Sequence, residues 1–161
     1  MKLYETNEIR NIALLGHIGS GKTTLSEAML VISGTKEKMG NTLNGTTSSD
    51  YHKEEKEKHF SIRLSPLTME YQGHKYNILD YPGYEDFKGD IYSSIDIIDG
   101  AVLVIDGSSG IELGTINSWK LLEDNNIPRI IFINKMNKGF INYKKLLEEL
   151  KEKFGKKLAP L

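Results

Sequence analysis

The residues Gly16-His17-Ile18-Gly19-Ser20-Gly21-Lys22-Thr23 carry the spacing G-x-x-x-x-G-K-[ST]. That pattern suits one kind of chemistry, the cradling of phosphate groups. Glycines let the backbone come close to phosphate oxygens and turn successive N–H groups inward. Lys22 then supplies a point charge for β- and γ-phosphates, and the Thr23 hydroxyl a ligand for magnesium. His17, Ile18 and Ser20 are left open by the pattern but belong to the same loop, and Thr24 follows it directly. Such a loop needs a strand before it and a helix after it, so that the helix N-terminus faces the anion. Both are present as patterns: the apolar run IRNIALLG from Ile9 to Gly16, and GKTTLSEAMLVI from Gly21 to Ile32, with Leu25, Ala28, Met29 and Ile32 at helical spacing.

Two further segments narrow the class. Asp80-Tyr81-Pro82-Gly83 ends the strand-like KYNILD. There an aspartate can hold magnesium through water, and the Gly83 N–H can meet a γ-phosphate. Asn134-Lys135-Met136-Asn137 ends RIIFIN and resembles the guanine-reading N-K-x-D element of GTPases. In that element Asn134 ties loops together, the Lys135 stem lies along the base, and the fourth residue reads guanine. A phosphate loop alone also fits an ATPase or a small-molecule kinase. A kinase lid usually needs several arginines, whereas Arg10, Arg63 and Arg129 are the only three and are scattered.

The elements that must position these residues alternate. Strands are expected at Ile9–Gly16, Ser61–Tyr71, Lys75–Asp80, Ala101–Asp106 and Arg129–Asn134, and helices at Gly21–Ile32, Asp86–Ile98, Leu113–Asp124 and Asn142–Phe154. Pro66 places its strand at an edge or a bulge, and Gly73-His74 makes a hairpin turn with the next one. The fold class is therefore α/β: a P-loop NTPase with a mostly parallel sheet, one antiparallel edge hairpin and helices on both faces. Ligands of such sheets bind at the carboxyl ends of the strands, where all three motifs fall. Gly34 to Phe60 is polar and reads as a long mobile loop, and its charge run His52 to His59 as a solvated face.

Composition bounds the rest. A chain of 161 residues fits one domain, and a net charge of -1 gives no bulk positive field for DNA or anionic lipid. The absence of cysteine excludes disulfides, thiolate metal sites and thiol nucleophiles. The start Met1-Lys2-Leu3-Tyr4-Glu5 has no apolar run of signal length, and no 18-residue apolar stretch exists, so no membrane partner and a cytoplasmic location are expected.

The stretches GHIGSGKTTLSEAML, DYPGYEDFKGDI, DGAVLVIDGSSGIELGT and PRIIFINKMNKG resemble elongation factor G, and most of all its bacterial paralogues. The resemblance covers almost the whole chain. It implies a GTPase fold, GTP and GDP as substrate and product, Mg2+ as cofactor and, in full-length members, a ribosomal partner. Residues 1–161 would then be the GTP-binding domain, cut at the entry to the family's inserted subdomain and lacking the last base-contacting loop. Tyr84 stands where elongation factor G proper has the histidine that positions the attacking water. A phenol there can donate a hydrogen bond but cannot act as a base near neutral pH. Ser61 stands where the family has its magnesium-binding threonine and keeps the hydroxyl.

Asn137 replaces the guanine-reading aspartate. An amide keeps one acceptor and turns a donor toward the exocyclic amine of guanine. An unpaired buried donor costs about 1–3 kcal/mol, so guanine affinity is expected to fall roughly 5- to 150-fold. Xanthine, with a carbonyl at that carbon, would suit Asn137 better. Three outcomes thus stand: a GTP-hydrolysing switch, a nucleotide-binding module with little turnover or altered base specificity, and a domain that binds nothing tightly.

Overall fold

The computed structural model describes residues 3–49, 52–58, 61–83, 89–139, 141–156 and 158–160. Its elements in chain order are β1 (Ile9–Leu15), α1 (Lys22–Ile32), α2 (Lys53–Lys58), β2 (Ser65–Tyr71), β3 (His74–Asp80), α3 (Gly89–Ser94), β4 (Gly100–Asp106), α4 (Leu113–Asp124), β5 (Arg129–Asn134) and α5 (Tyr143–Phe154).

The described strands form one five-stranded sheet in the order β2-β3-β1-β4-β5. β1 runs parallel to β3 and β4, β4 runs parallel to β5, and only β2 is antiparallel, paired to β3 through the Gln72-Gly73 turn. Pro66 lies on β2 at the sheet's edge, where its missing N–H breaks no ladder. The fold is thus the mostly parallel α/β sheet with one antiparallel edge hairpin that the alternation of patterns implies.

Side chains alternate across the sheet, and each face carries its own core. On one face Ala13, Leu15, Ala101, Leu103 and Ile105 pack with Ile91 of α3, Leu122 of α4 and Leu146 and Leu150 of α5. On the other, Leu14, Leu67, Met69 and Ile78 pack with Leu30, Leu25 and Met29 of α1. Helices therefore cover both faces. Trp119 of α4 stacks on Phe154 of α5 at 4.4 Å, and the Arg129 guanidinium lies 4.0 Å over the Trp119 ring. Among the described residues no helix is long and apolar enough to cross a membrane.

Four expectations need correction. The strand read over Ser61–Tyr71 begins only at Ser65, because the Ile62 and Arg63 amides bond to the Glu55 carboxylate instead of a neighbouring strand. The hairpin turn is Gln72-Gly73 rather than Gly73-His74, since His74 already pairs with Tyr71 at the start of β3. The helix read over Asp86–Ile98 is shorter among the described residues: α3 ends at Ser94 and tightens into a 3-10 turn at Ile95–Ile97. Gly34 to Phe60, read as a long mobile loop, contains α2 and is tied to α1 by hydrogen bonds. The tie is Glu27. Its side chain is fully buried and accepts from Lys36 Nζ (2.6 Å), Gly40 N (2.6 Å) and Ser48 N (2.6 Å).

Candidate nucleotide site

The site lies at the carboxyl ends of β1, β3, β4 and β5. Asp80, Asp106 and Asn134 are each the last residue of their strand, and register pairs Leu14 with Asp80 and Asp106 with Asn134. The sheet alone therefore brings three polar side chains to the rim where the phosphate loop leaves β1.

Glycine shapes that loop. Gly16 has φ +141°, and a Cβ there would sit 2.2 Å from the Val104 carbonyl oxygen and 3.2 Å from Ser20 Oγ. At Gly21, φ +100°, a Cβ would meet Asn134 Nδ2 at 2.2 Å. Both positions exclude side chains by conformation and by space. Lys22 is only 6% exposed and its Nζ donates to the carbonyls of Gly16 (3.2 Å) and His17 (3.1 Å), curling the loop around the ammonium. The Ser20 hydroxyl is buried without a hydrogen-bond partner among the described residues. A buried hydroxyl left so is costly unless a ligand satisfies it, and a phosphate oxygen at this loop would do so.

At the start of α1, Thr23 Oγ1 donates to Asp80 Oδ2 (2.9 Å) and lies 3.2 Å from Ser61 Oγ. Ser26 Oγ reaches the same Asp80 oxygen at 3.4 Å. The Thr23 and Ser61 hydroxyls and the Asp80 carboxylate, from three distant segments, thus converge with Ser26 behind them, a set of hard oxygen donors suited to magnesium with phosphate and water completing the shell. Gly83 closes over this point: a Cβ on it would lie 2.7 Å from Ile18 N, Ile18 Cα and Lys22 Nζ. Tyr84, expected to follow Gly83 in the site, lies outside the described residues.

On the far side, Asn134 Nδ2 donates to the Ser20 carbonyl (2.9 Å) and Asn134 Oδ1 accepts from Lys135 N (2.8 Å). That bond supports Lys135 in a left-handed conformation, φ 59°, which a side-chain-bearing residue adopts at a cost. Lys135 Nζ donates to the Gly19 carbonyl and to Asp106 Oδ2 (2.6 Å). Burial pushes the Asp106 carboxyl up, but hydrogen bonds from Lys135 and Ser108 outweigh it and bring its pKa from 3.8 down to about 2. The aspartate thus remains an anion that pins the lysine stem beside the loop.

Most of the sequence-derived set therefore gathers in one place: Gly16, His17, Ile18, Gly19, Ser20, Gly21, Lys22, Thr23, Ser61, Asp80, Gly83, Asn134 and Lys135. Thr24, on α1, and Asn137, in the turn after β5, are exposed at its margin. His17 points the other way: its Nδ1 accepts from Gly114 N at 3.3 Å and its Nε2 lies 3.5 Å from Glu112 Oε1, which docks the loop on the start of α4. Asp106 and Glu112 were not singled out from the sequence. Asp106 had a usable signal, since it ends the apolar run AVLVID as Asp80 ends KYNILD.

A family model described as the elongation factor Tu GTP binding domain matches residues 7–160. The chain belongs to this family. Among curated relatives, ribosome-releasing factor 2, mitochondrial, of Drosophila ananassae is 38% identical over 148 residues, covering 92% of this chain and 20% of that protein. Elongation factor G of Granulibacter bethesdensis is 36% identical over 154 residues, covering 96% of this chain and 22% of that protein. A crystal structure of a Thermus thermophilus protein superposes with a TM-score of 0.87 at 38% identity, over 92% of this chain and 22% of that one. The chain spans about a fifth of the length of the curated relatives it matches.

Proposed function

We propose that this chain is the GTP-binding domain of an elongation factor G-like translational GTPase, with Mg2+-dependent GTP hydrolysis coupled to the ribosome. One observation carries the reading: Thr23 Oγ1, Ser61 Oγ and Asp80 Oδ2 meet beside the buried Lys22 and under Gly83. Only a triphosphate with its cation uses all five at once.

In this reading the loop amides and Lys22 hold the β- and γ-phosphates, the Ser20 hydroxyl satisfies a phosphate oxygen, and Gly83 N–H meets the γ-phosphate. Thr23 and Ser61 would hold the magnesium through their hydroxyls, with the Asp80 carboxylate accepting from Thr23 behind them. Magnesium supplies neutralisation of the charge on the β- and γ-phosphates. A water attacks the γ-phosphorus in line; its O–P bond forms as the bond to the β–γ bridging oxygen breaks, GDP leaves, and the water's proton ends on the phosphate. Lys22, the amides and Gly83 stabilise the developing charge because they are already aimed at it. Tyr84 orients the water or walls off the site. Turnover alone is slow, as in this class generally, until a partner completes the site. Names of relatives, elongation factor G and ribosome-releasing factor 2, point to the ribosome as that partner.

Phosphate release from GTP, measured with and without ribosomes, tests this. Lys22→Ala should abolish release; release unchanged in that variant would overturn the assignment. Asn137 favours one second reading, relaxed or xanthine-shifted base choice, because an amide stands where guanine needs a carboxylate. Asn137→Asp should tighten GTP binding roughly 5- to 150-fold; an unchanged affinity would sink that reading.

A further inference from the structure

Among the side chains described in the charge run His52 to His59, Glu55 is buried. On α2, Glu54 and Lys56 are exposed, yet Glu55 between them is 1% exposed. Its two oxygens divide their work. Oε2 accepts from His52 N (3.2 Å), and Oε1 accepts from Ile62 N (2.9 Å) and Arg63 N (3.2 Å). The carboxylate thus clamps the start of α2 to the two amides that follow Ser61. Hydrogen bonds from amides to a carboxylate are roughly twice as strong as neutral ones. Burial strengthens them further and makes their loss costly.

Ser61 itself stands 3.2 Å from Thr23 Oγ1, on a segment that belongs to no helix or strand. No helix or strand fixes its backbone, and the two amides that follow it are held by the Glu55 carboxylate. We infer that Glu55 is a positioning residue: it holds Ser61 Oγ at the metal edge of the site without touching nucleotide or metal. The inference rests on the magnesium reading given under Proposed function. Both oxygens of Glu55 accept, so glutamine cannot replace it fully; its NH2 would face a backbone donor.

The test measures binding of guanosine 5′-(β,γ-imido)triphosphate to the whole chain by calorimetry, once with magnesium and once with EDTA. The ratio of the two dissociation constants is the magnesium increment. Residues that orient metal ligands typically change metal affinity about 10- to 100-fold. Ser61→Ala and Glu55→Ala should each cut the increment by about tenfold or more. Glu55→Ala in the Ser61→Ala background should cut it no further, because both act through one hydroxyl. Affinity in EDTA should stay within about twofold of wild type throughout, and Glu54→Gln, on the same helix, should leave the increment intact. If circular dichroism shows Glu55→Ala unfolded, Glu55→Gln gives the same reading with a smaller loss.

An increment that survives in the folded Glu55 variants, or a double variant whose losses multiply, overturns the inference while leaving the magnesium reading in place. A wild-type chain with no increment, or Ser61→Ala without effect, overturns the magnesium reading and the inference with it.

Discussion

The phosphate loop and the segment from Ser33 to Leu64 meet at one point, Thr23 against Ser61, but they are built by different means. The loop is shaped by what is missing. Gly16, Gly21 and Gly83 lie where a Cβ would strike Val104 O, Asn134 Nδ2 or Lys22 Nζ, so the backbone itself forms the cradle. The segment is shaped by two buried carboxylates. Glu27 gathers Lys36, Gly40 and Ser48, and Glu55 gathers His52, Ile62 and Arg63. A glycine-built loop is set by backbone conformation and close approach, with Lys22 and Asn134 donating to its carbonyls. A segment tied by carboxylates depends on two charges, and it can be released by losing either.

The sharpest way to break the loop half of this comparison is Gly16→Ala. The methyl group must displace the Val104 carbonyl at a φ of +141°, and destabilisation of about 3 kcal/mol or more is expected. Urea denaturation measures it, and nucleotide binding should be lost as well. A variant as stable as wild type would contradict the close approach. The segment half breaks at Glu27→Ala, which leaves the amides of Gly40 and Ser48 and the Lys36 ammonium without their acceptor. A local loss of about 2–3 kcal/mol is expected. Trypsin should then cut at Lys38 and Lys56 about 30- to 150-fold faster, with little change in hydrogen exchange of the phosphate-loop amides. Equal cleavage rates would show that the segment is held by something else.

Acid should separate the two regions further. Burial pushes the Glu27 carboxyl up, but Lys36, the amides of Ser48 and Gly40 and the Ser48 hydroxyl outweigh it and leave its pKa below the ordinary 4.5. Asp106, beside the loop, falls from 3.8 to about 2. Both carboxyls bind a proton more readily in the unfolded chain. Their stabilisation is therefore fully present above the ordinary carboxylate range and is lost as pH falls through the folded values. Urea midpoints should drop below about pH 4.5, and Asp106→Asn should flatten the part of the drop between about pH 4 and pH 2. A profile unchanged by that substitution would remove Asp106 from the account. The smallest effect belongs to neither region. Lys145 and Glu149 on α5 form an exposed pair at 3.8 Å, and Lys145→Ala should change stability by less than about 0.5 kcal/mol.

This difference in construction also explains what a sequence reveals. The bounds of α4 and β5 follow directly from the patterns at Leu113–Asp124 and Arg129–Asn134, because apolar periodicity reports burial against a sheet. The phosphate loop is legible because its glycines are there for steric reasons that leave little choice. Glu27 and Glu55 were hidden. Glutamate on a helix, or inside a run of lysines and glutamates, is usually solvated, and only the three-dimensional path of residues 36–63 brings amides to these two. The hairpin was legible from Gly73, though its turn is Gln72-Gly73, one residue earlier than the pattern placed it, whereas the early end of α3 at Ser94 was not legible, since Ile95 and Ile97 continue an apolar pattern into a 3-10 turn. Asp106 shows an intermediate case: its position at a strand end was visible, but its partner Lys135 was known only as a stem for the base.

The most direct test of the central claim is a calorimetric titration of the whole chain with magnesium-loaded GDP, XDP and ADP. Saturable binding of GDP or XDP at one site per chain, with ADP far weaker, is the predicted result, and the order of the first two reports what Asn137 reads. Preference for ADP, or flat titrations with all three, would contradict a guanine-type nucleotide site built on Lys22, Thr23 and Lys135.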